Sequence, residues 1–309
     1  MFSWESEVLS LMDGGHYEQA FARLRELESQ TEDDSEEQYV IRVNEAECLK
    51  ELGHFKEALE LFEAFKKKDD LGIENKCLNL LSEARCFEGM GRFRNARRCL
   101  QQVRKLDTDG TFSISVEFVE IDIEFDEGRD AEAIERAVSF LNKYAEELAD
   151  PFYEGSAHKL KIKVACELVN NRQSQRGIEA INQLLPTAKD EDQALMKLYL
   201  GDAYDDLGET DKAISTFKEL VEGNATGYPL VKGHYHLGAR YLKKGDAALA
   251  KIHFLEVERL GVPKGTPVKN LYRFLANASG MLGQVAEYEK YNRLAKADFK
   301  DRLRSFWRS

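Results

Sequence analysis

Residues 194–220 read ALMKLYLGDAYDDLGETDKAISTFKEL, and this stretch predicts two amphipathic helices that fold back on each other. In each half the apolar residues recur every three or four positions, as the buried face of a helix requires. They are Met196, Leu200, Ala203, Tyr204 and Leu207, then Ala213, Ile214, Phe217 and Leu220. Gly208 separates the halves, and glycine readily adopts the left-handed conformation that ends a helix. Because one hairpin cannot bury its apolar face alone, the stretch predicts neighbouring hairpins of the same kind.

The turn residue recurs along the whole chain, with an arginine in place of glycine in the fifth copy. The eight turn residues are Gly15, Gly53, Gly91, Gly128, Arg172, Gly208, Gly245 and Gly283. Positions seven residues before and five residues after the turn are mostly small, as with Gly201 and Ala213 in the sixth copy. Small residues at both positions predict a close approach of the two helix backbones in each hairpin.

The residues at these repeated positions resemble those of the tetratricopeptide repeat family, whose first helix carries a bulky residue, a glycine or leucine and an aromatic residue. Its second helix carries alanine and aromatic positions. In the sixth copy the matching residues are Leu200, Gly201, Tyr204, Ala213 and Phe217. Successive turn residues are 36 to 38 positions apart, with 44 across the fourth-to-fifth junction, whereas the family repeat is about 34 residues. The helices are therefore expected to be longer than is usual for the family.

The resemblance implies an all-α fold, a right-handed superhelical solenoid of about eight helical hairpins plus a C-terminal capping helix. We expect one domain over residues 1–309. The predicted units are residues 1–34, 39–72, 77–110, 114–150, 152–190, 194–227, 231–264 and 268–309, the last including the cap. At the long junction we expect a helix of about five turns over residues 131–148, then a helix start at Asp150 and Pro151.

The net charge of -12 is unevenly distributed. Residues 1–150 contain thirty-six acidic and nineteen basic side chains, whereas the remainder contains twenty and twenty-five. The acidic first part disfavours nonspecific nucleic-acid binding, which depends on cations that displace counterions. The five cysteines have no CxxC spacing and indicate reduced core thiols. With no signal-peptide pattern and no membrane-spanning apolar run, these features predict a cytoplasmic protein.

Catalytic and metal-binding patterns are missing from the sequence. There is no GxSxG, Walker-type, HExxH or GxGxxG motif. His234 and His236 would point about 200° apart on a helix, so they cannot chelate one metal together. The other four histidines are isolated in the sequence: His16, His54, His158 and His253. We therefore predict a non-catalytic protein without a cofactor or metal.

The resemblance also implies that the first helix of each hairpin lines a concave groove, which holds an extended peptide or a partner's helix. The groove positions combine acidic and apolar side chains. This mixture favours a protein partner with basic residues among apolar ones, because charge steers encounter and apolar contacts hold the complex. The predicted groove residues are Glu47, Glu51, Arg85, Phe118, Asp122, Phe125, Asp126, Asp202, Asp205, Tyr235 and Asn277.

Two alternatives to binding another protein stay open. The basic, aromatic end of the chain could dock into the acidic groove of a second copy and cause self-association. The residues for this docking are Arg302, Arg304, Phe306 and Trp307. The same tail could bind an anionic membrane surface or an RNA. A helical-repeat RNA reader is the other alternative, which the acidic groove positions disfavour.

Overall fold

The computed structural model describes residues 2–32, 36–65, 72–262 and 268–306, with the backbone alone for residues 297–306. These described residues form sixteen α-helices and two short 3-10 helices and contain no strand. The all-α prediction is confirmed. The chain forms two compact units, Met1–Tyr144 and Ala145–Ser309, which we call unit 1 and unit 2. The expectation of one continuous domain stays a prediction.

Each unit contains four helical hairpins, which gives the eight expected. Unit 1 contains α1 (Glu5–Asp13), α2 (Tyr17–Glu28), α3 (Glu36–Glu51), α4 (Phe55–Phe65), α5 (Ile73–Gly89), α6 (Phe93–Leu106), α7 (Ser113–Asp126) and α8 (Asp130–Lys143). Unit 2 contains α9 (Pro151–Asn170), α10 (Ser174–Leu184), α11 (Asp190–Asp206), α12 (Thr210–Glu222), α13 (Gly227–Lys243), α14 (Ala247–Leu260), α15 (Val268–Met281) and α16 (Val285–Phe306). The expected capping segment is the continuation of α16, which is 22 residues long.

The eight turns share one hydrogen-bond pattern. Every predicted turn residue has a positive φ, from 58° at Arg172 to 85° at Gly245. Its backbone N–H donates to the carbonyl three residues earlier, and the next N–H donates to the carbonyl five residues earlier, over 2.7 to 3.1 Å. This arrangement is the Schellman motif, in which a left-handed residue satisfies the last carbonyls of a helix. The turn column read from the sequence is therefore confirmed in all eight hairpins.

Arg172 is the only described non-glycine residue with a positive φ, and this conformation costs a residue with a Cβ about 1 kcal/mol. We expect Arg172→Gly to raise the stability of unit 2 by about 1 kcal/mol, a rise in Tm of about 2–4 °C. Differential scanning calorimetry measures the change. Arg172→Ala is the matched control, because alanine keeps the Cβ, and an equal gain in that variant would contradict the explanation.

Two glycines of unit 2 make room for two different kinds of neighbour, a helix backbone at Gly177 and an aromatic ring at Gly201. A Cβ on Gly177 would lie 3.3 Å from the backbone nitrogen of Val169 and 3.4 Å from the carbonyl oxygen of Ala165. The predicted approach of two backbones is therefore present in this hairpin. A Cβ on Gly201 would instead lie 2.4 Å from the ring of Phe217, one turn beyond the predicted contact at Ala213. In that hairpin the glycine accommodates a buried aromatic ring.

The long junction between the fourth and fifth hairpins differs from the expected helix. α8 ends at Lys143, because Tyr144 leaves the helical conformation with φ −109° and ψ 28°. A 3-10 turn follows over Glu147–Ala149, and its Leu148 is buried. The expected start of α9 is confirmed, since the Asp150 carboxylate accepts a hydrogen bond of 2.9 Å from the Phe152 backbone N–H.

The five cysteines are free and buried, as expected of core thiols. Burial raises the pKa of Cys86 and Cys166 to about 12 and that of Cys48 to about 11. Since the thiolate is the reactive form, these three thiols are chemically inert at neutral pH. Within the described residues, no helix is both long enough and apolar enough to cross a bilayer.

Candidate functional site

Three first helices of successive hairpins lie side by side in each unit. In unit 1, α5 contacts both α3 and α7, and in unit 2, α11 contacts both α9 and α13. Side chains one repeat apart therefore meet on neighbouring helices. We call the resulting surface in each unit the first-helix face.

The charged residues of the unit 1 face pair with each other. Glu47 accepts hydrogen bonds from Lys50 and from Ser82 of the next hairpin. Burial alone would lower the pKa of Lys50, but Glu47 raises it above its usual value and keeps the amine charged. The Arg85 Nη1 atom donates to Asp122 Oδ2 over 2.6 Å. The acidic side chains of this face are therefore partly neutralised within the unit.

The two phenylalanines predicted for the groove belong to the core of unit 1. Phe118 is 6% exposed and packs edge-on against Phe140, with ring centroids 4.9 Å apart, and Phe125 is 7% exposed. Neither side chain is available to a partner, which corrects the sequence prediction. The signal was present, because the column of Phe118 is apolar in six of the eight repeats. By contrast, Glu51 and Asp126 are exposed.

The unit 2 face contains two contacts between α11 and α13. The Asp202 Oδ1 atom lies 3.3 Å from His236 Nδ1, and Arg240 donates a hydrogen bond to Asp205. The His236 ring also stacks on Phe217, with centroids 5.1 Å apart and 15° between the planes. The face thus places carboxylates on α11 beside basic side chains on α13.

Burial dominates the protonation of this pair. It raises the pKa of Asp202 to about 7, although Arg240 and Lys232 act in the opposite direction. Burial, together with Arg240 and Lys232, lowers the pKa of His236 to about 4. The His236 ring is therefore neutral at physiological pH, and a cation brought against Asp202 would favour its charged form.

Aromatic rings extend the unit 2 face. The ring of Tyr235 lies 6.1 Å from that of Phe254 and 5.8 Å from that of Phe274. The Lys232 ammonium lies 5.7 Å from the Tyr228 ring and 6.0 Å from the Tyr235 ring, within range of cation–π attraction to both. Tyr228 is 51% exposed, so this part of the face presents both aromatic surface and charge to solvent.

The groove role of these residues of unit 2 stays a prediction; Tyr235 lies on α13, Asn277 is exposed on α15, and Asp202 and Asp205 lie on α11. Sequence reasoning missed the two basic residues of α13 that contact these aspartates, His236 beside Asp202 and Arg240 beside Asp205. Arg240 stands 35 positions after Asp205, close to the 37 positions between Gly208 and Gly245, and this spacing was the signal that could have identified the pair. The tail residues Arg302, Arg304 and Phe306 lie at positions without described side chains, and Trp307 lies outside the described residues.

Residues 164–229 match the sequence profile of the tetratricopeptide repeat family. The matched segment runs from α9 into the start of α13 and includes the stretch 194–220. No curated protein matches the chain at a significant level.

Several solved structures are similar to this chain. The apo form of RapI has a TM-score of 0.68 at 13% identity, covering 84% of this chain and 76% of RapI. A signal transduction ATPase from Pyrococcus horikoshii, with a tetratricopeptide repeat sensor, has a TM-score of 0.71 at 15% identity. That match covers 96% of this chain but only 46% of the ATPase. A Rap protein complexed with competence and sporulation factor has a TM-score of 0.52 at 14% identity, covering 86% and 78%. These similarities establish the helical-repeat fold.

Proposed function

Because the chain belongs to the tetratricopeptide repeat family, we propose that it is a non-catalytic scaffold that binds a segment of another protein along its first helices. The main support is the layered arrangement of α9, α11 and α13, which joins half-exposed side chains from successive hairpins into one face. The Rap protein complexed with competence and sporulation factor supports the use of this fold to bind a second molecule.

The unit 2 face is the proposed main contact. Its rings, Tyr228 and Tyr235, offer apolar area, and aromatic residues are frequent hot spots of protein interfaces. Asp202 offers a half-buried carboxylate that, within the described part of the chain, contacts His236, whereas Asp205 pairs with Arg240. The partner is therefore a segment with apolar side chains and at least one basic side chain, which would approach Asp202.

In unit 1 a basic partner would have to compete with Arg85 for Asp122. The exposed Asp126 is the better candidate for a charge contact there. Unit 1 would therefore increase the rate at which the partner associates more than the affinity of the complex, because exposed charges contribute more to the association rate than to affinity. We also propose a cytoplasmic location, which the free, buried cysteines support.

A peptide library displayed against the full chain provides the first test. We expect selected segments to contain basic and apolar residues, and we expect Tyr235→Ala to weaken their binding about tenfold or more. Asp202→Asn should weaken the binding of segments that contain basic residues more than the binding of segments that contain none. The matched control is Tyr288→Ala, an exposed tyrosine on the second helix of the last hairpin. Equal losses in the control, or no loss in either face variant, would contradict the proposed site.

Salt dependence tests the charge of the partner. The Debye length falls from about 10 Å at 0.1 M to about 3 Å at 1 M salt, so a basic segment should bind more weakly as salt increases. Isothermal titration at both salt concentrations measures the effect. An affinity that does not change with salt would exclude a partner that is recognised by its charge and would favour an apolar partner.

Self-association is the second candidate, supported by the acidic residues 1–150 and the basic end of the chain. In this arrangement a tail around Trp307 would bind the acidic face of another copy. Light scattering at high protein concentration distinguishes the candidates. A mass above the monomer that drops when residues 297–309 are deleted would favour self-association over the partner-binding proposal.

A further inference from the structure

Two histidines meet between α13 and α14 in unit 2. The Nδ1 atoms of His234 and His253 are 3.0 Å apart, and their ring centroids are 5.3 Å apart. Both side chains are half-buried. The sequence predicts an isolated His253, and this is wrong because the hairpin returns the chain to His234 after 19 residues. This pair lies outside the contacts proposed for a partner.

The surroundings of the pair keep both rings neutral. Burial lowers the pKa of His253 to about 4, with His234 and Lys218 acting in the same direction and Glu256 opposing. Burial also lowers the pKa of His234. The ring of Tyr241 stacks on His253, at 5.6 Å between centroids and 2° between planes, and restricts its orientation. At neutral pH one Nδ1 therefore donates to the other and neither ring carries a positive charge, although Lys218 and Arg259 are close enough to act on the rings.

We propose that His234 and His253 form a binding site for a divalent transition-metal ion of the copper or nickel class, coordinated through both Nδ1 atoms. A metal–nitrogen bond is about 2.0–2.1 Å long, so a separation of 3.0 Å corresponds to about 91–97° at the metal. This angle suits the cis positions of square-planar or tetragonal Cu²⁺ and Ni²⁺. A tetrahedral Zn²⁺ site would need about 3.3–3.4 Å between the nitrogens.

Water supplies the remaining ligands of the ion. Among the described residues, no cluster of three or more histidine, cysteine, aspartate or glutamate side chains has metal-binding geometry. The ion replaces the hydrogen bond between the rings and lies off the line that joins the two Nδ1 atoms, and the displaced Nδ1 proton moves through solvent to the Nε2 atom of the same ring. Each imidazole then still carries one proton, so binding at pH 7 releases none. The bound ion joins α13 to α14.

Cu²⁺ added to the full chain is the probe. We expect an electron paramagnetic resonance signal with coupling to two nitrogens at pH 7. We also expect Tm to rise by about 3–6 °C when free Cu²⁺ is a hundredfold above Kd. His234→Gln and His253→Gln should each abolish the two-nitrogen signal. The control is His54→Gln, an exposed histidine beside Glu57 in unit 1, which should leave the signal unchanged.

A second measurement needs no variant. Because the Tyr241 ring stacks on His253, substoichiometric Cu²⁺ should broaden the Tyr241 ring resonances before those of Tyr17 in unit 1. A two-nitrogen signal that survives in both glutamine variants would overturn the proposal. Equal broadening of both tyrosines would also overturn it.

Discussion

Glu45→Gln is expected to stabilise unit 1 by about 1–3 kcal/mol at pH 8 and to have little effect at pH 4.5. Glu45 is 1% exposed, and its Oε1 atom accepts no hydrogen bond. Burial raises its pKa from 4.5 to about 7, with Glu28 adding to the rise and Arg25 and Arg42 opposing it. The nearest of these cations, Arg25, lies 3.8 Å away. At pH 8 the folded chain therefore contains an incompletely compensated buried charge.

The sign of the pH dependence follows from the raised pKa. Between pH 4.5 and pH 7 the folded state keeps a proton on Glu45 that the unfolded state loses, so the stability of the wild type falls as pH rises. Glutamine has no proton to lose. The difference between variant and wild type therefore grows through this window and is constant above it.

The repeat pattern explains why Glu45 lacks an arginine partner from its own hairpin. The position eight residues before the turn is glutamate in the first four hairpins: Glu7, Glu45, Glu83 and Glu120. In the first and fourth hairpins an arginine eight residues after the turn pairs with it, as Arg23 does with Glu7 at 3.2 Å. In the second hairpin that position is Leu61. The second hairpin therefore keeps the glutamate of this repeat position, but an apolar residue stands where the first and fourth hairpins have the arginine that pairs with it.

Trp4 provides the readout, because it is buried in unit 1 and donates a hydrogen bond of 2.8 Å to Glu37. In a Trp307→Phe background, urea denaturation followed by Trp4 fluorescence reports unit 1. Glu7→Gln is the matched control, since its carboxylate is exposed and its ion pair contributes about 0.2–1 kcal/mol. A loss of stability in Glu45→Gln at pH 8 would refute the account.

Gly201→Ala should lower the stability of unit 2 by about 1–3 kcal/mol. Alanine favours a helix over glycine by about 1 kcal/mol, so propensity alone predicts the opposite sign. Packing prevails because the added Cβ would lie 2.4 Å from the ring of Phe217, which is 0% exposed and cannot move aside without disturbing the core. Calorimetry of the full chain measures the loss.

Gly155→Ala is the matched control, because a Cβ at this helical position meets no atom within 4 Å. It should stabilise the chain by about 0.5–1 kcal/mol. In addition, Gly201→Ala should cost less in a Phe217→Leu background, since the smaller side chain frees the space. Equal costs in the two backgrounds would show that the ring is not the cause.

The helical hairpins of this protein could be predicted from short-range patterns. The turn column from Gly15 to Gly283 and the helix start at Asp150 depend on residues within one helical turn of each other. The end of α8 was not predictable in this way. The pattern over residues 131–148 is helical throughout, but the chain leaves the helix at Tyr144 and buries Leu148 in a 3-10 turn.

The candidate site was only partly predictable. The sequence placed Asp122, Asp202 and Tyr235 on first helices, and the structure agrees. Phe118 was placed in the groove although its repeat position is mostly apolar, because helical periodicity gives the faces of a helix but not which of them a neighbouring helix covers.

The sequence by itself determined that this chain is a series of eight helical hairpins, because helix periodicity and turn conformation are local properties of a few consecutive residues. The tertiary structure alone decided which charges are paired and which histidines meet. Arg85 and Asp122 are 37 positions apart, and His234 and His253 are 19 apart. Such contacts depend on how separate helices pack, and packing fixes the burial and neighbours that set the charge of each group.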